Sequence, residues 1–176
     1  MRPIPKEFYD STTKTPLAHC KRCKKELLVS HAEYVIEKVV KRIDGIEQVL
    51  FEYAICMDCI KDVQDEISEE SAENIKQHML AKMEAVRDRP FEGTNACLWS
   101  GIPREELDEF QLIAKCVGDK TFSFQPPFMV SGAMMEELDG LLSAKTRDTL
   151  DRFMDDNFGP PPEFRELFRK SDLILV

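Results

Sequence analysis

The sequence lacks several features that would identify a familiar class of protein. No apolar run approaches the roughly 18–20 residues that a membrane-spanning helix needs, and the start, Met-Arg-Pro-Ile-Pro, has no apolar core of a secretory signal. It has no glycine-rich phosphate loop, no nucleophile elbow and no Ser/His/Asp or Cys/His grouping. We therefore expect a cytoplasmic protein without a membrane partner, and no familiar enzyme.

Positive charge is also scarce. The 176 residues carry 24 Lys/Arg against 33 Asp/Glu, a net charge of −9, while hydrophobic residues make up 43% and indicate a globular chain. Residues 1–45 are the basic exception, with ten Lys/Arg against six Asp/Glu. An acidic whole argues against general affinity for nucleic acid, which depends on neutralising phosphates.

Six cysteines are present, and four of them form two tight pairs. Cys20 and Cys23 make one Cys-x-x-Cys pair, and Cys56 and Cys59 make the other. Two such pairs at this separation are typical of one tetrahedral zinc site, in which each turn directs two thiolates to one point. A secreted disulfide framework is the alternative, but pairs two residues apart favour a metal. The sequence thus predicts one structural Zn²⁺.

A β-hairpin is predicted between the two pairs. Asp44-Gly45 separates two β-rich runs, which is a strong signal for a two-residue hairpin turn. With these as the turn residues, Val40 should lie opposite Val49 and Arg42 opposite Glu47. The same register sets Ile36 opposite Tyr53 and Tyr34 opposite Ile55, and it places Glu37 opposite Glu52, a conflict of like charges.

The order of knuckle, hairpin, cysteine pair and helix resembles the treble-clef class of zinc fingers. The resemblance covers residues 20–67 and rests on the four cysteines, Asp44-Gly45 and the helical pattern after Cys59. It implies a structural zinc but no particular partner, because treble clefs serve protein, DNA, RNA and enzymatic contexts.

Other chemistry at the four cysteines stays open. Catalytic zinc needs a ligand position filled by water, which four thiolates do not leave. His19 and His31 flank the site as competing ligands or, more simply, as exposed or supporting residues. A redox role is the remaining rival, although redox Cys-x-x-Cys motifs occur singly beside a βαβ pattern, which this sequence lacks.

We expect an α+β fold in three parts: an extended arm over 1–14, a zinc-binding lobe with its following helix over 15–90, and a second α+β lobe over 91–176. Ser68 or Ser71, Ser131 and Ser143 are the predicted helix caps. The second lobe is predicted to hold strands at 110–117, 121–124 and 128–130. An amphipathic segment at 164–168 and the apolar end 173–176 should close the chain.

Residues 97–142 resemble 20–67 weakly, which suggests a degenerate copy without metal. Cys97-Leu-Trp-Ser100 holds the position that a knuckle would have in the second copy. Phe128–Gly132 leads into a helix as Ile55–Cys59 does. The alternatives are an ordinary α+β lobe with buried Cys97 and Cys116, or a second metal on these two. Trp99 is expected to be a core anchor more readily than a partner contact.

The predicted function is that of a non-enzymatic zinc protein, in which the metal stabilises a protein-interaction or regulatory module. The alternative is binding of DNA or RNA through the cations around the first knuckle: Lys14, Lys21, Arg22, Lys24, Lys25, Lys38, Lys41 and Arg42. An enzyme of unrecognised type is the second alternative.

Overall fold

The structure is a computed structural model that describes residues 1–29 and 31–158. It is an α+β fold with six strands and four α-helices in the described chain. The strands are β1 (Arg2–Pro3), β2 (Glu33–Ile43), β3 (Ile46–Cys56), β4 (Glu109–Val117), β5 (Lys120–Thr121) and β6 (Phe128–Ser131). The helices are α1 (Met57–Glu66), α2 (Glu69–Val86), α3 (Gly132–Asp139) and α4 (Ala144–Phe158).

All strands join one antiparallel sheet in the order β1-β5-β4-β2-β3, and β6 pairs with β4 beside β5. The two central strands, β2 and β4, come from the two predicted lobes and pair over nine residues. None of the helices in the described ranges combines the length and apolar character needed to cross a bilayer.

The predicted hairpin between β2 and β3 is confirmed, and its register is as predicted from the turn as far as Val40. Asp44 and Gly45 both have positive φ, at 52° and 78°, as a type I′ turn requires. Val40 lies opposite Val49 and Arg42 opposite Glu47 as predicted.

Beyond Val40 the predicted register is wrong by one residue. A bulge between Val39 and Val40 shifts the pairing, so that Ile36 faces Ala54, Tyr34 faces Cys56 and Glu37 faces Tyr53. The shift sets Lys38 opposite Glu52, and their charged atoms form a buried ion pair of 2.6 Å. The bulge thus replaces the predicted contact of two carboxylates with an attractive pair.

Serine caps fix the starts of the two longer helices. Ser68 precedes α2, and its Oγ accepts a hydrogen bond from the Ser71 N–H at 3.2 Å. Ser143 precedes α4 and accepts from the Thr146 N–H at 3.3 Å. Ser131 holds the N-cap position of α3, as predicted, without a capping hydrogen bond from its side chain. The α2 helix ends at Val86, shortly before Pro90.

The amino-terminal arm is part of the folded core. Its strand β1 pairs with β5 of the second half, and Ile4 and Phe8 are buried in the hydrophobic core. Ser11 donates to the Glu52 carboxylate from both its N–H and its hydroxyl. The arm therefore ties both halves of the sheet together.

The second half follows the predicted strands in part. β4 and β6 lie where β-prone runs were predicted, but only Thr121 of the predicted 121–124 strand is extended in the sheet. The core cluster is continuous across the predicted boundary at residue 90, and the boundary itself stays a prediction. The predicted segments 164–168 and 173–176 lie outside the described residues.

Candidate metal centre

The first knuckle is a tight turn that brings Cys20 and Cys23 onto one side of the backbone. The Lys24 N–H donates to the Cys20 carbonyl at 2.9 Å, and the Cys20 N–H donates to the Lys25 carbonyl at 2.9 Å. Lys24 takes a positive φ of 62°, which lets the chain reverse within these few residues. The turn therefore holds both sulfurs in a defined position.

The second pair stands at the junction of β3 and α1. Cys56 is the last residue of β3 and the N-cap of α1, while Cys59 lies in the first helical turn. The Lys21 N–H donates to the Ala54 carbonyl at 2.8 Å, which joins the knuckle to the end of β3. The hairpin thus returns the chain to its starting point and sets the two pairs face to face.

The four sulfurs have the spacing of a tetrahedral thiolate site. All four Sγ atoms lie within 4.8 Å of one another. Cys20 Sγ is 3.8 Å from Cys59 Sγ, and Cys23 Sγ is 3.8 Å from Cys56 Sγ. A tetrahedron with Zn–S bonds of ~2.3 Å places its sulfurs about 3.8 Å apart, so these residues fit a zinc ion.

Burial and local dipoles act in opposite directions on these thiols. Burial raises the pKa of Cys56 and of Cys59. It also acts to raise the pKa of Cys20, but the N–H groups of Cys23 and Cys56 outweigh it and lower that pKa to about 7. Four thiols this close do not all ionise without a cation between them, which is what a divalent metal supplies.

The histidines considered as ligands are not part of the cluster. Among the described residues, the only group of three or more Cys, His, Asp or Glu side chains placed to share a metal is that of Cys20, Cys23, Cys56 and Cys59. His19 and His31 are outside it, as are Cys97 and Cys116. The predicted set of four ligands is therefore the one that the fold brings together.

Acidic side chains of α1 neutralise part of the basic knuckle. Arg22 lies 3.5 Å from Asp62 and 3.9 Å from Glu66. Lys25 lies 3.3 Å from Asp58. Lys21 stands over the Phe158 ring at 5.1 Å from its centroid. Two of the knuckle cations therefore face acidic side chains of α1.

Two more of the cations named in the nucleic-acid hypothesis form ion pairs elsewhere in the fold. Lys38 is buried in its pair with Glu52 and donates to the Tyr9 carbonyl. Arg42 pairs with Glu47 at 2.9 Å, at the tip of the hairpin.

Sequence reasoning missed a buried polar cluster on the sheet. Glu37 is fully buried and accepts hydrogen bonds from the Tyr53 hydroxyl and, at 2.6 Å, from Gln111 Nε2. Burial raises the pKa of Glu37 to about 8 despite these two bonds. The sequence signal was an acid inside a run of Val and Ile, which the predicted hairpin register placed opposite Glu52.

The remaining residues singled out in the second half are buried. Trp99 is 5% exposed and joins the core, in agreement with its predicted role as an anchor. Cys97 and Cys116 are also buried. Cys97 Sγ lies 3.5 Å from the Ser131 hydroxyl and accepts the Ser131 N–H at 3.3 Å.

No family model, curated protein or solved structure matches the chain. The class of the protein therefore rests on its fold and its centre. They describe an α+β protein with a four-cysteine cluster at the junction of a hairpin and a helix.

Proposed function

We propose that Cys20, Cys23, Cys56 and Cys59 bind one structural zinc ion in a treble-clef arrangement. The observation that carries this is the set of four sulfurs at tetrahedral spacing. The knuckle, the β2–β3 hairpin and α1 follow one another in the treble-clef order. Four thiolates close the coordination shell, so the ion holds the turns together and leaves no position for substrate or water.

The module built around this ion is non-enzymatic and binds another protein. A closed ligand set, the acidic net charge and the absence of a recognised catalytic grouping in the sequence support this. The ion pairs of Arg22 and Lys25 with α1 count against the nucleic-acid alternative, so no second function is proposed.

The zinc is tested by counting metal and by melting the protein. Native mass spectrometry of the full chain should show one zinc, and Cys59→Ser should abolish it. Cys116→Ala, a change at a buried cysteine outside the cluster, should leave the count at one. Because the apparent binding energy of a structural zinc is roughly 10–16 kcal/mol, chelation should lower Tm by many degrees. The proposal would be contradicted if the chain bound no zinc, or if its Tm were the same with and without the chelator.

The non-enzymatic role and the partner class need separate measurements. Crosslinking of the zinc-loaded chain should yield a protein partner that the zinc-free chain does not retain. Turnover that depends on Cys56 or Cys59 in a folded protein would overturn the role. Binding to labelled DNA or RNA that weakens as salt is added, and that weakens in the Lys21→Gln and Lys24→Gln variants, would overturn the proposed protein-binding role.

A further inference from the structure

The first knuckle has a counterpart in the second half. The Gly101 N–H donates to the Cys97 carbonyl at 2.8 Å, as the Lys24 N–H does to that of Cys20. Gly101 has a φ of 72°, matching the 62° of Lys24. The two cysteines therefore begin the same turn, 77 positions apart in the chain.

The strand that each knuckle touches is also matched. The residue after each cysteine donates its N–H, at 2.8 Å in both cases, to a carbonyl near the end of a strand: Lys21 to Ala54 of β3, and Leu98 to Met129 of β6. Parallel bridges join Cys20 to Ala54 and Cys97 to Met129.

The agreement extends to the helix that follows the strand. The Cys56 N–H points to Cys20 Sγ at 3.4 Å, and the Ser131 N–H points to Cys97 Sγ at 3.3 Å. Cys56 and Ser131 are the N-caps of α1 and α3, with φ and ψ of −71° and 153° in one and −72° and 153° in the other. Ser131 therefore occupies the position in the second half that Cys56 occupies in the first.

The sheet register gives the same assignment. Tyr34 faces Cys56 in the first half, and Phe110 faces Ser131 in the second. Tyr34 and Phe110 are 76 positions apart, while Cys56 and Ser131 are 75 apart. The offset between equivalent residues changes only from 77 to 75 between the knuckle and the helices, as is expected of a repeated unit with small deletions and not of two unrelated lobes.

The second helices of the two halves exchange equivalent hydrogen bonds. The Ser68 N–H donates to Thr146 Oγ1 at 3.0 Å, and the Ser143 N–H donates to Ser71 Oγ at 2.8 Å. Ser68 and Ser143 are 75 positions apart, as are Ser71 and Thr146. The hydroxyl cluster is therefore symmetric, as is expected where two copies meet on a two-fold axis.

We infer that the second half is a metal-free copy of the zinc-binding unit, in which Cys97, Ser100, Ser131 and Met134 occupy the four ligand positions. Ser100 follows Cys97 by three residues, as Cys23 follows Cys20. Met134 follows Ser131 by three, as Cys59 follows Cys56. One ligand of four is kept, and the backbone that would direct the other three is still in place. The inference rests on the proposal that the first cluster binds zinc.

Hydrogen bonds between Cys97 and Ser131 hold the turn against the start of α3, and an apolar residue takes the fourth ligand position. Burial acts to raise the pKa of Cys97, but bonds from Ser100 and Ser131 outweigh it and lower that pKa. Met134, in the first turn of α3, is 5% exposed and belongs to the hydrophobic core. The turn and the helix are thus held together without an ion, which explains how the ligands were lost with the fold retained.

Restoring the three missing thiols should restore the site. The full chain carrying Ser100→Cys, Ser131→Cys and Met134→Cys should bind two zinc ions by native mass spectrometry, against one for the parent. Cobalt(II) loading should double the intensity of the tetrahedral cobalt–thiolate absorption. The matched control replaces Met134→Cys with Met135→Cys, at a neighbouring buried methionine, and should hold its second metal no more tightly than the serine-to-cysteine double variant.

The double variant Ser100→Cys and Ser131→Cys keeps the inference testable if the triple variant fails to fold, because it exchanges only oxygen for sulfur. It offers three thiolates and should take up a second zinc that a chelator removes before the first. A folded variant series that never exceeds the parent count of one would overturn the inference. A parent count of zero would instead refute the zinc of the first site.

Discussion

Glu37 shows how a single residue depends on its place in the sheet. Its carboxyl is fully buried, and its Oε2 accepts hydrogen bonds from Tyr53 and Gln111, whereas no partner is found for Oε1 among the described residues. A buried carboxyl with an unsatisfied oxygen is stabilised by holding a proton, because the neutral acid avoids the cost of a buried charge.

We predict that Glu37→Gln makes folding stability less sensitive to pH. The folded pKa is raised from an ordinary 4.5 to about 8, so the neutral acid's contribution is complete below pH 4.5. It is lost as the pH rises towards 8, by up to about 1.4 kcal/mol per pH unit. Urea unfolding at pH 6 and pH 8 should show a larger loss in the parent than in Glu37→Gln.

The exposed Glu70→Gln serves as the control and should behave as the parent does. Equal pH slopes in the parent and in Glu37→Gln would show that Glu37 is ionised in the fold. The proposed zinc binding would have the opposite pH dependence, because acid protonates thiolates, but it is common to all three proteins and cancels in the comparison.

Residues whose role is set locally were predictable, and residues set by distant contacts were not. The four clustered cysteines and the Asp44-Gly45 turn follow from spacing within a few positions. The bulge at Val39 sets Lys38 opposite Glu52 in a buried ion pair, and Glu52 also receives two hydrogen bonds from Ser11 of the arm. Nothing in the local pattern indicates that contact.

At the scale of elements, helix starts were the most predictable features, because a capping serine is a local signal. Ser68 and Ser143 also do something that no local signal shows: their hydroxyl oxygens lie 2.9 Å apart and join α2 to α4. Strand lengths in the second half were harder to predict. The Thr121–Phe124 run is β-prone, but its ladder with β4 and β1 ends at Thr121, and beyond it the Phe122 N–H donates to the Lys115 carbonyl at 3.4 Å.

We predict that Ser68→Ala and Ser143→Ala each destabilise the protein by about 1 kcal/mol, as loss of a helix cap does. The double variant should lose less than the sum, because each single change already breaks the contact between the two hydroxyls. Chemical denaturation of the four proteins gives this coupling energy. Ser123→Ala, at an exposed position outside the cluster, should be neutral. Strict additivity of the two losses would show that the caps act independently.

At the scale of the whole molecule, the continuous sheet makes the two halves interdependent. β2 and β4 pair over nine residues, and the arm joins β5 while burying Ile4 and Phe8. The pairing of β2 with β4 could not be predicted from the sequence, because strands some 76 positions apart carry no local signal that they are neighbours in the sheet. The two lobes expected from the sequence share one core cluster.

We predict one cooperative unfolding transition for both halves. Cobalt–thiolate absorption reports on the first half, and fluorescence of the single Trp99 reports on the second. The two signals should change at the same denaturant concentration, and Phe8→Ala should shift both together by ~3–5 kcal/mol. Two separated midpoints would mean that the halves unfold independently.

The nine-residue pairing of β2 with β4 is centred on one residue pair. Glu37 pairs with Ile113, which lies 76 positions later. In the inferred repeat, Ile113 is the residue equivalent to Glu37, so the two equivalent residues face each other. The axis relating the copies therefore passes through this pair, and in an isologous dimer of identical units Glu37 would oppose a second Glu37 in a buried sheet. Burying two carboxyl groups costs more than burying one, so a single chain with Ile113 at one of the two positions avoids a cost that a dimer of separate copies would bear. In the single chain the two halves differ at these positions, because the first carries the four-cysteine cluster and the second supplies the isoleucine.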